Sequence, residues 1–386
     1  MPIDGPDAAA AGRLTIHASL AAAEARWRAA WPRTAGYAFQ SYDWVAAWQE
    51  ALGDRAGWRP CIVELRAHDD DRTLLLLPLG IRREGLLRVL GFLGGGLIDY
   101  QAPLVDAAFA ATVTPERMRR LWTTILATLP AVDMVQLRRM PACIGAVTNP
   151  LVALPGAAHT ENAHAAYLPD NFAAFRAPRA AKLFADTRRQ LRRLQEGGTV
   201  RMELDIPPGA EHDRVMAALA QQKGRRWRDT GNPDAFVALP GFAAFFAQLN
   251  TRPLQGIRAV VSALYLDDHP IATHWGLRSN DNERYYWLMP AYDADWAKFS
   301  PGRLLMEAVI QQCIAEKVAV FDLTVGDEVY KAQWADVDLD LYALQQARSV
   351  LGALVVGAAR VKHAAREMPA LRAAVQWVRK VARGQR

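Results

Sequence analysis

The sequence predicts an α/β chain built from two copies of one layered unit, and three observations predict it. The order strand-strand-strand-loop-helix-strand occurs twice, once in each half. A strongly basic helical segment separates the two occurrences. The composition, 51% apolar and 22% charged over 386 residues, is that of a globular chain with room for more than one core.

In the first half, "RPCIVELRA" reads as a strand, "HDDDR" as a turn, "TLLLLPLGIRR" as a second strand and "LLRVLGFLG" as a third. The loop "GGLIDYQAPLVDAAFAATV" leads to a helix, "TPERMRRLWTTILATL", with Thr114 as N-cap and Pro115 in its first turn. "VDMVQLRRM" closes the unit. Between the halves, Arg176 to Arg193 holds seven Lys/Arg and one Asp. Leu183, Thr187, Leu191 and Leu194 share one helical stripe, and Gly197-Gly198 ends the helix. That helix is a solvated connector, or its arginines face a phosphate-bearing ligand. In the second half, "GIRAVVSALYL", "IATHWGLR" and "ERYYWLMP" are strands separated by short turns. An irregular loop, a helix from about Pro301 to Glu316 and the strand "VAVFDLTV" follow. The division is residues 1–174, a connecting helix at 175–198, a second copy at 199–344 and a tail at 345–386.

The formal charge of +6 is uneven. From Gln345 to Arg386 there are nine Lys/Arg and one Glu, so the rest of the chain is slightly acidic. The tail reads as two helices broken at Pro369. The second sets Leu371, Val375, Trp377 and Val378 against Arg372, Arg379, Lys380 and Arg383, a pattern suited either to an anionic lipid surface or to docking on the protein body. The apolar run from Ser349 to Ala359 is too short to span a bilayer. No secretory signal is visible, and Cys61, Cys143 and Cys313 stand far apart in apolar contexts. The expectation is a cytoplasmic protein with buried thiols and no metal site, able to sit peripherally on the inner membrane face.

The junction Ser300-Pro301-Gly302-Arg303 opens the second helix. Helix N-termini carry unpaired N–H groups and partial positive charge, which suits anions. Ser300 has the chemistry to cap, Pro301 fits the first turn, Gly302 admits a close ligand and Arg303 adds charge. Ordinary capping is the competing reading. Asp322 interrupts an apolar strand, where a carboxylate is costly unless paired or functional. It is a base or substrate contact, or the partner of a structural Arg or of Lys331. Asp327 and Lys331 bind substrate or pair with each other. His274, mid-strand, is a base or a satisfied core group. Arg226 and Trp227 suit a sugar or nucleotide, though Trp227 serves equally as core. Asp99-Tyr100, after three glycines, is a binding loop or a plain turn.

"SPGRLLMEAVIQQCIAEKVAVFDLTVGDEVYKAQW" resembles the BioF2-like (CelD-like) acetyltransferase group of the GNAT superfamily, which is related to the FemABX transferases. "TRRQLRRLQEGG", "QQKGRRWRDTGNPDAF" and "FQSYDWVAAWQEALG" extend the resemblance. It implies tandem GNAT-like domains, with acetyl-CoA or another acyl-CoA bound in the second. It also implies a backbone amide of the strand Tyr285 to Met289, around Leu288, polarising the thioester, and Tyr330 as acid after the last strand. The usual GNAT phosphate loop is absent, and Ser300-Pro301-Gly302 stands in its place. Glu116 at the equivalent helix start would repel phosphate, so the first copy is expected to bind no CoA. The leading expectation is acetyl transfer to an amino sugar or sugar-linked amine, free or lipid-linked, in exopolysaccharide or envelope synthesis. The alternatives are a FemABX-like enzyme using aminoacyl-tRNA, with Arg188 to Arg193 touching RNA, and a non-catalytic protein that binds nucleotide or membrane.

Overall fold

The computed structural model describes residues 12–326 and 328–367. The first half contributes strands β1 (Arg13–His17), β2 (Arg59–Arg66), β3 (Thr73–Glu84), β4 (Leu87–Phe92), β5 (Leu104–Val105), β6 (Met134–Pro141), β7 (Cys143–Ile144), β8 (Val147–Thr148) and β9 (Ala157–Tyr167). The second contributes β10 (Val200–Glu203), β11 (Ile257–Leu266), β12 (His269–Ser279), β13 (Arg284–Tyr292), β14 (Val320–Val325) and β15 (Val337–Ala347). All but the β7–β8 pair join one 13-stranded sheet, in the order β1-β2-β3-β4-β6-β15-β9-β14-β13-β12-β11-β10, with β5 paired to β3.

That order is a palindrome of roles about the β15–β9 pair. In each half three antiparallel strands lead to a parallel pair, β4 with β6 and β13 with β14. The repeated order expected from the sequence is present in both halves. One further strand after each unit, β9 and β15, is exchanged between the halves. β9 precedes the connecting helix but pairs with β14 of the second half. β15, at the end of the second half, pairs with β6 of the first. The two exchanged strands then pair with each other from Val337↔Ala165 to Leu344↔Ala157. A cut at residue 174 therefore leaves β6 without β15 and β14 without β9. Neither β9 nor β15 is among the expected strands, although "VDLDLY" alternates as a strand does.

The largest core cluster spans both halves. Trp44, from the segment "FQSYDW", packs edge-on against Phe245 at 4.9 Å and lies 6.3 Å from Trp275 of β12. Phe39 meets Tyr286 of β13 at 5.4 Å, and the Tyr286 hydroxyl accepts from the Ala38 N–H. A second cluster lies between the second half of the sheet and the helices Ala181–Gln195 and Pro301–Ala315. The basic helix buries Leu183, Phe184, Thr187 and Leu194 as its stripe requires. Cys61 and Cys313 are buried, but Cys143 is exposed, because it sits in the short β7–β8 hairpin outside the main sheet. Of the two expected tail helices the first is Val350–Glu367, while the segment after Pro369 lies outside the described residues.

Candidate active site

The parallel pair of the second half is short. β13 meets β14 only from Arg284↔Val320 to Tyr286↔Asp322. Beyond Tyr286 the strands part, while β12 continues to pair with β13 as far as Tyr292. One edge of β13 from Trp287 to Tyr292 is thus left without a strand partner, over about 17 Å at the rise of an extended strand. Leu288, Met289 and Pro290 are half-buried along it. Thr324 bends β14, with φ of 61° at a register shift against β9.

At one end of this edge, Tyr292 approaches the start of the helix Pro301–Ala315. Ser300 adopts a left-handed conformation, φ 52° and ψ 49°, and its side chain makes no cap hydrogen bond. Its carbonyl instead accepts from the Arg303 and Leu304 N–H groups. The expectation that Ser300 caps is corrected: a left-handed N-cap aims the hydroxyl away from the first turn. Pro301 has no N–H to satisfy, and a methyl built on Gly302 would meet only Tyr292 Cδ1, at 3.6 Å. Space beside the Gly302 backbone is open. Arg303 leans inward, where with Arg176 and Arg188 it faces Glu307, whose carboxyl burial raises above its ordinary value. In the first half the equivalent helix is closed to anions. The Thr114 hydroxyl accepts from the Arg117 N–H and Glu116 occupies the first turn.

On the opposite face of the strand pair, Asp322 is fully buried and held by three hydrogen bonds. Its carboxylate accepts from the Tyr100 hydroxyl at 2.7 Å, Arg284 at 2.8 Å and the Thr324 N–H at 2.8 Å. Tyr100 comes from the first half, so this carboxylate ties the halves together. The structure corrects the reading of Asp322 as a substrate base, because the carboxylate is wholly buried and already paired with Arg284. Tyr100 likewise holds the interface, not a ligand. His274 is corrected too. It is wholly buried, stacked on Trp287 at 3.8 Å, with Nδ1 3.4 Å from the Tyr285 hydroxyl. Burial, with Lys223 nearby, holds its pKa well below the ordinary histidine value. It lies in the core, and its Nε2 has no hydrogen-bond partner among the described residues, so it is not the satisfied group expected.

Asp99, next to Tyr100, is more accessible. It pairs with Arg139 at 3.1 Å and takes a hydrogen bond from the Thr324 side chain. Burial lifts its pKa to about 6 against the opposing pull of Arg139 and Lys331. Lys331 is buried. It donates to the Val325 carbonyl at 2.6 Å and pairs with Glu328 at 3.0 Å, pinning the turn that follows β14. Asp327 lies outside the described residues. Tyr330 is half-buried, hydrogen-bonded to the Trp287 side chain, and burial raises its pKa above the ordinary phenol value. Arg226 is exposed within electrostatic reach of Tyr330 and Glu328. Trp227 packs with Phe236 at 6.0 Å and Phe242 at 6.1 Å, as core.

The residue missed from the sequence is Lys223. It lies one turn before Trp227, on the helix Ala210–Asp229, with its ammonium over the indole at 5.8 Å. Its Nζ donates to the Pro290 carbonyl of β13 at 3.2 Å. Burial, reinforced by Arg226, lowers its pKa to about 8. The i,i+4 spacing to a tryptophan was the only signal in the sequence, and it says nothing about the apolar surroundings. Beside Asp99, a cavity of about 260 Å³ at the β4–β6 parting is lined by Trp58, Arg82, Arg138, Arg139 and Glu161 among others. Among the described residues no group of His, Cys, Asp and Glu is placed to hold a metal.

Residues 181–332 match the family model described as an acetyltransferase (GNAT) domain. No curated protein sequence matches the chain. Solved structures share the fold over nearly its whole length. FemX is 10% identical, with a TM-score of 0.56 over 85% of this chain and 96% of that one. The DUF2156 domain of an Agrobacterium fabrum protein is 14% identical, with a TM-score of 0.52 over 89% and 97%. A protein of unknown function from Bacteroides thetaiotaomicron is 13% identical, with a TM-score of 0.50 over 86% and 98%. At these identities the likeness is one of fold.

Proposed function

With residues 181–332 a GNAT acetyltransferase domain, we propose that the protein transfers an acetyl group from acetyl-CoA to the amine of an amino sugar or sugar-linked acceptor. The observation that carries this reading is that the partnerless edge of β13 ends, at Tyr292, beside the uncapped helix start at Gly302. An extended acyl-pantetheine arm has peptide-like groups that pair with a free strand edge, and its phosphates suit the helix N-terminus. In this reading a backbone amide near Leu288 polarises the thioester carbonyl.

The acceptor enters from the other side, through the cavity of Trp58, Arg82, Arg138 and Arg139. That indole with its arginine–carboxylate pairs, Arg82 with Glu84 and Arg139 with Glu161, suits a polar sugar ring. Asp99, ionised above about pH 6, takes a proton from the acceptor ammonium. The neutral amine attacks the thioester carbon, and the C–S bond breaks. The departing thiolate then needs a proton. An ordinary thiol titrates near 8.5, so Lys223 at about 8 is a matched donor. Tyr330, whose phenol holds its proton more tightly than usual, serves as a hydrogen-bond donor and not as the acid.

A second reading uses aminoacyl-tRNA as donor. It is favoured by the exposed Arg188, Arg189, Arg192 and Arg193 on the helix beside the junction. Calorimetric titration of acetyl-CoA into wild type and Gly302→Asp separates the two, with Gly302→Ala as control for the backbone change. Binding to wild type and the alanine variant, lost with aspartate, is expected. No binding to wild type sinks the acetyl-CoA reading and brings aminoacyl-tRNA, or a non-catalytic ligand, forward.

A further inference from the structure

The helix Val350–Glu367 leaves β15 and lies along the far end of the first half. Its inner side is tight. A methyl on Gly352 would stand 1.9 Å from the Asp133 carbonyl oxygen. Val356, 6% exposed, packs with Leu87, Val89 and Met134. At the helical angle per residue, Val350, Leu354, Ala358, Leu351 and Val355 follow one another around the opposite side, over about 140°. All five, in the first half of the helix, are apolar. Val350 is 80% exposed, Leu354 66%, and Leu351 and Val355 39% each. A surface helix ordinarily places charge there. Beside it the β3–β4 hairpin turns at Gly85, and Leu86 at its tip is 87% exposed. Leu87, the next residue, belongs to the cluster under Val356, so hairpin tip and helix share one corner of the molecule.

We propose that this corner docks on an anionic lipid bilayer, with the helix lying in the interfacial plane and Leu86 as a second point of insertion. Charge selects this occupant over a second copy of the chain. From Gln345 to Arg386 there are nine Lys/Arg and one Glu, against a slightly acidic remainder. Two copies meeting through this helix bring like charge onto like charge, whereas anionic headgroups attract it. No helix of the described residues is long and apolar enough to cross a membrane, so the mode is lying on the surface. Docking holds whichever donor the protein takes. It also brings the arginine-lined cavity toward the headgroups, since Glu84, two residues before the tip, lines that cavity. A bilayer-anchored acceptor follows only if the acyl-transfer reading also stands.

The test is co-sedimentation of the full chain with phosphatidylcholine vesicles, with and without phosphatidylglycerol. The variants are Val350→Glu/Leu354→Glu and Leu86→Glu. Melting and acetyl-CoA titration are run on the same samples, so that a failure of docking is read separately from a failure of donor binding. The expected result is binding to the phosphatidylglycerol vesicles that weakens with salt. The double variant loses about tenfold or more in vesicle affinity at unchanged melting temperature, and Leu86→Glu loses less. Absence of vesicle binding by wild type overturns the proposal. So does equal binding by wild type and the double variant. So does a wild-type dimer that the double variant dissociates, because the apolar face then belongs to a second copy.

Discussion

In the proposed reaction, Asp99 is the residue on which proton transfer turns. Its pKa, lifted to about 6 by burial, places the ionised base and the working pH together. The rate under kcat/KM conditions is expected to rise through about pH 6 in the wild type. Asp99→Asn should lose that limb and most of the activity while keeping donor affinity. Linkage gives a second readout. The folded pKa is raised, so the Asp99 contribution to stability is greatest below pH 4 and is lost as pH rises through 6, up to about 3 kcal/mol. Asp99→Asn removes that pH dependence, which denaturant titration at several pH values measures. Asp322 behaves differently. Removing it leaves Arg284 and the Tyr100 hydroxyl buried and unpaired, so Asp322→Ala is expected to cost about 3–5 kcal/mol in stability. A variant that stays as stable as wild type but turns over slowly would return Asp322 to the chemistry. Lys223→Met should lower kcat with little effect on acetyl-CoA affinity. Sequence marked Asp322 as anomalous and named the correct alternative among its readings, a structural arginine. The sequence could not say which arginine, because Arg284 becomes its neighbour only through strand pairing.

At the scale of the element, the helix Pro301–Ala315 begins without side-chain help. Ser300 pays for its left-handed conformation, on the order of 1 kcal/mol, and caps nothing. Ser300→Gly should therefore stabilise the protein by roughly 0.5–1 kcal/mol, measured as a raised unfolding midpoint. If glycine destabilises instead, the hydroxyl has a role the geometry does not show. Elements whose stabilising contacts are local were the legible ones. Thr114 and Pro115 mark the first helix start, and the stripe of Leu183, Thr187 and Leu194 marks the connecting helix. The helix starts at Pro115 and Pro301 look alike in sequence up to their caps. They separate in the structure because Thr114 bonds its own helix and Ser300 turns away. The open edge from Trp287 to Tyr292 was readable as a strand, but its missing partner was not, since parting is a property of two strands and not of one.

For the whole molecule, the exchange of β9 and β15 and the shared core of Phe39, Trp44, Trp275 and Tyr286 make the halves one cooperative body. Denaturant unfolding is expected to show one transition by both tryptophan fluorescence and circular dichroism, and two separate transitions would contradict that coupling. The duplicated order was visible in the sequence, whereas the exchange was not: β9 and β15 lie beyond the repeated order, and their partners are set only by tertiary pairing. The exchange also bears on how the chain comes to be folded as it is made. The first half cannot complete its sheet from its own residues, for β6 waits on a strand ending at Ala347. Until that segment has left the ribosome, β6 presents an open edge. Nearly the whole protein must be synthesised before either half can close, and a nascent chain halted after the connecting helix is an incomplete sheet, not a finished domain.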